Sequence, residues 1–382
     1  MEFLRLLLGA ALAGVSMLAS AQLAVSANDN KVELVDGVVT VVPDAAPDTI
    51  AIIDLSTKPP RLVAEIEGAA SVVGPPLSVA VAPDESFALV TAATKIVKGK
   101  QVPDNKLQVV DLRSSPPGVV ATYDVGAGAA GVSINREGTL ALIANRNEGT
   151  VSAFAIDGRI LAPLGKIKLG DEKSGPSSIA ISPDGKTALV TRDGDNRVSV
   201  LSIDGARVEY TKRDVYPGLR PYGVVFCEPG NIAVVANVGA GQGDVDTISV
   251  IDMKANPVRV VDTITVGPTP EGIVCAPDGR RVAVTVMSGS NKPKGSPFYR
   301  QHGKVILLHV NGRKLQKVAE ADVGNWSQGA VFSTNGRMLL VQNMVQKDIQ
   351  VFDVVAAGLH DTGRRIQLKG GPAGIRIADK PR

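Results

Sequence analysis

Residues Pro176-Ser-Ser-Ile-Ala-Ile-Ser-Pro-Asp-Gly185 decide the fold, because the chain repeats them. A second copy reads Pro270-Glu-Gly-Ile-Val-Cys-Ala-Pro-Asp-Gly279. In each, a short run with β-branched residues meets a Pro-Asp-Gly turn, the pattern of a strand running into a tight turn. Weaker copies are Pro76-Leu-Ser-Val-Ala-Val-Ala-Pro-Asp-Glu85, Ala129-Ala-Gly-Val-Ser-Ile-Asn135, Pro221-Tyr-Gly-Val-Val-Phe-Cys227, Ser327-Gln-Gly-Ala-Val-Phe-Ser333 and Pro372-Ala-Gly-Ile-Arg-Ile377. Aligned on the small third residue, the anchors are Ser78, Gly131, Ser178, Gly223, Gly272, Gly329 and Gly374, with spacings of 53, 47, 45, 49, 57 and 45. Seven anchors at a period near 50 mark a repeat architecture of four strands per unit.

The units share a grammar. After the first strand and its turn come a second strand such as Thr187–Thr191, a loop, a third strand such as Arg197–Ser202 and a more polar fourth strand such as Val208–Val215. The first strand is apolar on both faces, as for a sheet buried between two others. One four-stranded sheet cannot cover two apolar faces, so the units stack on one another, and radial stacking makes a propeller. Only one strand follows the last anchor, while Val38–Val42, Thr49–Asp54 and Leu62–Ile66 precede the first. One and three complete a blade, and a closed ring leaves no sheet edge exposed. The expected fold is all-β: a seven-bladed β-propeller of four-stranded antiparallel blades, closed by pairing N-terminal strands with the C-terminal strand. Its expected extent is residues 37–382, after a flexible N-terminal segment over 22–36.

These residues resemble the YVTN-repeat family of exported seven-bladed propellers. The resemblance rests on the Pro-x-Gly strand and Pro-Asp-Gly turn, on second strands ending in Ala144-Asn145 and Ala236-Asn237, and on third strands such as Ile248–Asp252. It spans nearly the whole chain after residue 36 and implies the fold much more than a function. Lactonase-like propellers are similar too, and no residue matches a catalytic motif of that group.

Export is expected from the first residues. Arg5, the apolar run Leu6–Leu18 and Ala19-Ser-Ala21 read as a signal peptide over 1–21, with cleavage after Ala21 or, second, Ala27. The apolar run is shorter than a spanning helix requires, so the expected product is a periplasmic or secreted monomer with no membrane span. With 40 Gly, 24 Pro and few aromatics the chain is rich in turns, and a net charge of +3 gives no strong pull toward nucleic acid. Cys227 and Cys275 fall on neighbouring inner strands. Packed sheets stand about 10 Å apart, so two buried thiols are expected, with a disulfide as the alternative.

Several chemistries are absent. There is no Cys-x-x-Cys-His, His-Glu-x-x-His or P-loop, and Asn325-Trp-Ser-Gln-Gly329 is only a loose relative of Gly-x-Ser-x-Gly. His302, His309 and His360 lie in separate segments beside no expected nucleophile.

In a ring of blades, the loops leading into strand one and those joining strands two and three surround one mouth of the central channel. The first set contributes Arg220, Tyr222, Glu271, Trp326 and Gln328. The second contributes Asn145, Arg146, Arg192, Asp193, Asn237 and Asn343. Two longer loops on this face, Ala93–Asn105 with Lys95, Lys98 and Lys100, and Met287–Gly303 with Lys292, Lys294, Tyr299 and Arg300, are expected to form a basic rim. The expected function is therefore binding of a protein partner or small anionic ligand at this mouth. Single-stranded nucleic acid fits poorly with so few aromatics to stack on. No cofactor is expected; the alternative is a lactonase-like hydrolase or cycloisomerase at the central channel, in a metal-free or a metal-assisted form. In that alternative, a divalent metal held by Glu271, Asp193 and the asparagines would polarise the carbonyl.

Overall fold

Each of the seven anchors opens an inner strand. The computed structural model describes residues 22–228, 231–356 and 358–380, so the expected signal peptide lies outside the described residues. Six blades follow the chain in order. Blade three, for instance, runs Pro176–Ile181, Thr187–Arg192, Arg197–Asp204 and Arg207–Val215 from channel to rim. Inner and middle strands are buried and outer strands half exposed.

The anchors are small because the blades touch there. A Cβ placed on Gly131 would lie 2.8 Å from both the Ser177 carbonyl oxygen and the Ser178 Cα of the next blade. A repeated polar link runs beside this contact. Thr191 Oγ1 accepts from Ser178 N (2.9 Å) and donates to the Tyr222 carbonyl of blade four (2.6 Å). Thr285 does the same between Gly272 N and the Gln328 carbonyl. The turns follow one design as well. Gly185 has φ +69°, and Asp184 accepts from Ser182 Oγ (2.6 Å) and Lys186 N (3.1 Å). In blade one, Glu85 holds the glycine's place at φ +56°. Its carboxylate meets Lys380 (3.1 Å) and Leu23 N (3.4 Å), close to the two ends of the described chain.

Closure by the two ends stands, with different strands. The closing sheet runs Gly371–Ile377, Leu23–Asp29, Thr49–Asp54, Arg61–Glu67, with Ala24 opposite Ile377 and Asn28 opposite Thr49. Leu23–Asp29, expected to be part of a flexible segment, is thus a buried second strand. The segment expected in that role, Val38–Val42, instead supplies Val38–Val41, which pairs with Val32–Val35 as a hairpin inserted after it. Ala27-Asn28 in fact repeats the Ala144-Asn145 ending, and Asn28 bonds Thr49 Oγ1 (3.0 Å) as Asn145 bonds Thr150 Oγ1 (2.9 Å). Cleavage after Ala27 would remove most of this strand.

The two cysteines form a disulfide joining blades four and five, with Cα atoms 5.6 Å apart. The expectation of free thiols used the spacing of parallel sheets. Blades converge toward the axis, which brings inner-strand Cα atoms within disulfide reach.

Candidate functional site at the channel mouth

The residue just before each anchor stands at the entry to an inner strand, on the face of the ring where the second strands end. Four consecutive blades supply polar ones, Ser177, Tyr222, Glu271 and Gln328, while the other three supply Ala373, Leu77 and Ala130. The mouth is therefore polar on one side only. Leu77 reaches across the ring from blade one toward blade four, where a Cβ on Gly223 would sit 3.7 Å from Leu77 Cδ1. The channel is narrow at that level.

On the polar side a charged cluster assembles from four blades. Arg146, just past the second strand of blade two, reaches blade three, donating to Asp193 Oδ2 (2.6 Å) and to Ser177 Oγ. Ser177 Oγ donates to Asp193 Oδ1 at 2.8 Å, so Asp193 is bonded on both oxygens. Arg220 approaches the same carboxylate at 3.8 Å from blade four. Its φ of +53° is held by a bond from its own N–H to Asn196 Oδ1 (2.8 Å). The Arg146 guanidinium also stands 5.9 Å from the centre of the Tyr222 ring.

Glu271 completes the cluster from blade five. It is 9% exposed, and among the described residues no hydrogen bond or ion pair reaches its carboxyl group. Burial raises its pKa to about 8, against the pull of Arg220 and Arg146 and with a push from Asp193. Burial and the neighbouring Glu271 also raise the Tyr222 phenol. Near neutral pH the cluster thus holds two guanidinium ions, one carboxylate, a neutral carboxylic acid and a phenol. Its net charge is positive and its unsatisfied groups are mainly donors, a combination suited to an anion.

Of the other expected residues, Gln328 shares the strand entries at the mouth and the rest are placed elsewhere. Asn145, Asn237 and Asn343 are buried caps that lock the second strand to the loop leading into their own blade and to the third strand. Asn145 accepts from Gly126 N (3.1 Å) and donates to Ser152 Oγ (2.9 Å). Asn343 accepts from Gly324 N (2.8 Å) and donates to Asp348 (2.7 Å), and Asn237 donates to Ser249 Oγ (3.1 Å). Arg192 takes the asparagine's place in blade three, bonded to Ser199, Ser174 and Asp195. The oxygens of Asn145 and Asn343 are taken by Gly126 and Gly324, while Asn237 Oδ1 is buried without a partner. Among the described residues no group of three His, Cys, Asp or Glu is placed to hold a metal ion. Gln328 is 1% exposed with its Oε1 unpartnered. Trp326 is buried with Val32, Met287 and Met344, part of a small core beneath the N-terminal hairpin.

The basic residues do not meet as one rim. Ala93–Asn105 forms no long loop: strands two and three of blade one continue as a hairpin to its tip at Lys98-Gly99. Lys95 pairs with Asp104 (3.1 Å), and Lys98 and Lys100 are exposed at the tip. Blades six and seven separate these from the blade-five loop. There Lys292 is tied to the Gly241 carbonyl, Lys294 N bonds Asp36 of the N-terminal hairpin (2.8 Å), and Arg300 bonds the Tyr299 carbonyl (2.7 Å). Ser177 was missed by the sequence reading. Its signal was its position, one residue before an anchor, shared with Tyr222 and Glu271.

No family model matches this chain, and no curated protein does. Solved structures match over nearly its whole length. A putative 6-phosphogluconolactonase from Bacteroides fragilis is 17% identical, with a TM-score of 0.71 over 95% of this chain and 99% of that one. The periplasmic gluconolactonase of Pseudomonas aeruginosa is 17% identical, with a TM-score of 0.67 over 94% and 100%. A protein of unknown function from Desulfotomaculum acetoxidans is 16% identical, with a TM-score of 0.68 over 94% and 100%. At these identities the likeness shows a shared seven-bladed fold, with lactonase-like proteins among those similar to this chain.

Proposed function

We propose that this chain is an exported, periplasmic propeller of the YVTN-repeat type that binds a small organic anion at the channel mouth. One observation carries the reading: Arg146 and Arg220 share the single carboxylate of Asp193 beside a buried Glu271, whose pKa burial raises. A carboxylate or phosphate entering there would meet charge-assisted donors from two guanidinium groups, with neutral donors from Tyr222 and Glu271. Arg220 is the more exposed of the two, so it would move onto a ligand first.

A second reading, lactone hydrolysis, is favoured by the lactonase-like neighbours and by a carboxyl group titrating near solution pH. In that reaction water adds to the carbonyl carbon, the ring C–O bond breaks, the leaving oxygen takes its proton from Glu271, and the proton lost by the added water restores Glu271.

Calorimetric titration with gluconate and 6-phosphogluconate tests the first reading. The expected result is binding of at least one, weakened about tenfold by Arg220→Gln, the range for loss of a charged hydrogen bond. No binding, or equal binding by wild type and variant, would overturn it. Proton release from the two corresponding lactones, faster than the spontaneous rate and lost in Glu271→Gln, would establish the hydrolase.

A further inference from the structure

The far end of the channel holds a cavity, apart from the mouth. Past the narrowing at Leu77, the ends of the inner strands enclose a cavity of about 350 Å³ that opens on the face of the Pro-Asp-Gly turns. Much of its wall is apolar, with Val132, Val225, Phe226, Val331 and Phe332. Arg376, on the C-terminal inner strand, also lines it.

Arg376 differs from the other cations at this end. Arg136 is bonded to Glu228 (2.7 Å) and to Asp379 (3.0 Å), and Lys380 pairs with Glu85 (3.1 Å). Among the described residues no hydrogen bond or ion pair reaches the Arg376 guanidinium. Asp379 attracts it only through space, and burial disfavours its charge. A guanidinium stays ionised in proteins and carries five N–H donors, and a charged group left unpaired beside apolar walls is costly. Arg376 is only partly buried, so its donors are open to an anion entering the cavity.

We propose that this cavity binds an amphiphilic monocarboxylate, its carboxylate forked on Arg376 and its apolar body against the Val and Phe walls. The apolar part of the wall favours a hydrocarbon body, with Ser133, Arg136, Glu228, Thr334, Asp379 and Lys380 completing the lining. A cavity of this size accommodates a chain of roughly eight to ten carbons.

Calorimetric titration of the mature protein with octanoate, and separately with octanol, tests the proposal. Octanoate should bind one per chain and about tenfold or more tighter than octanol, since only the carboxylate engages the fork. Arg376→Met should remove that preference while leaving octanol binding unchanged, and thermal melts verify that the variant is folded. Arg220→Gln at the mouth should leave octanoate affinity unaltered, which separates this site from the one above. Equal affinity for octanoate and octanol in the wild type, or no octanoate binding, would overturn the proposal whether or not the variant folds. So would an octanoate affinity unmoved by Arg376→Met.

Discussion

Glu271→Gln should stabilise this protein at alkaline pH and leave it unchanged at acid pH. In the folded chain the carboxyl group titrates near 8, against 4.5 for the unperturbed group. Below pH 4.5 both folded and unfolded states hold the proton, and the side chain adds no pH dependence. Between 4.5 and 8 the unfolded state releases the proton and the folded state keeps it, so stability falls as pH rises. Above 8 both are ionised and the loss is complete, about 5 kcal/mol from 3.5 pH units at about 1.4 kcal/mol each. At pH 7 the loss is about 3 kcal/mol by the same reasoning. A glutamine side chain at this position would fill nearly the same volume and never ionise. Unfolding entropy for about 360 residues is about 0.75 kcal/mol/K, so the variant should melt about 6–7 °C above wild type at pH 8.5. The gap should shrink to about 4 °C at pH 7 and close at pH 4.5. Differential scanning calorimetry of the two proteins across that range reads the gap directly. A constant offset, or one that widens toward low pH, would refute the claim that Glu271 is buried without a partner.

Two further outcomes follow from the contacts between blades. Gly131→Ala would press a methyl group onto backbone atoms of blade three, which cannot rotate away; about 2–3 kcal/mol of stability should be lost, read as a lower urea midpoint with unchanged slope. Cys227→Ala with Cys275→Ala removes a link across 48 residues of chain, which a loop-entropy account sets at up to about 4 kcal/mol; the variant should melt lower than the oxidised wild type, and an identical melting temperature would refute that account for this pair.

Much of the architecture is written in short-range patterns. Blade number follows from the anchors, because only a small residue fits where inner strands abut, and each turn advertises itself through Pro, Asp and Gly. Leu23–Asp29 directly follows a stretch with the pattern of a signal peptide, which masks its Ala27-Asn28 ending although that ending obeys the same grammar as the other second strands. At the mouth, Arg146, Asp193, Arg220, Tyr222 and Glu271 were legible as candidates from their place in the repeat. The asparagines stood at equally eligible places, and nothing local separates a residue that caps a strand from one that faces a ligand. Which is which depends on partners such as Ser152 and Gly126, brought near only when the blade forms.

The repeat, the all-β class and closure by the two ends can be read from the order of residues, since strand periodicity and turn chemistry act over a few positions. The Cys227–Cys275 bond, the sharing of Asp193 by two arginines and the unpaired state of Arg376 emerge only on folding. Each of these depends on distances across the ring between residues far apart in the chain, and only the convergence of seven blades on one axis sets those distances.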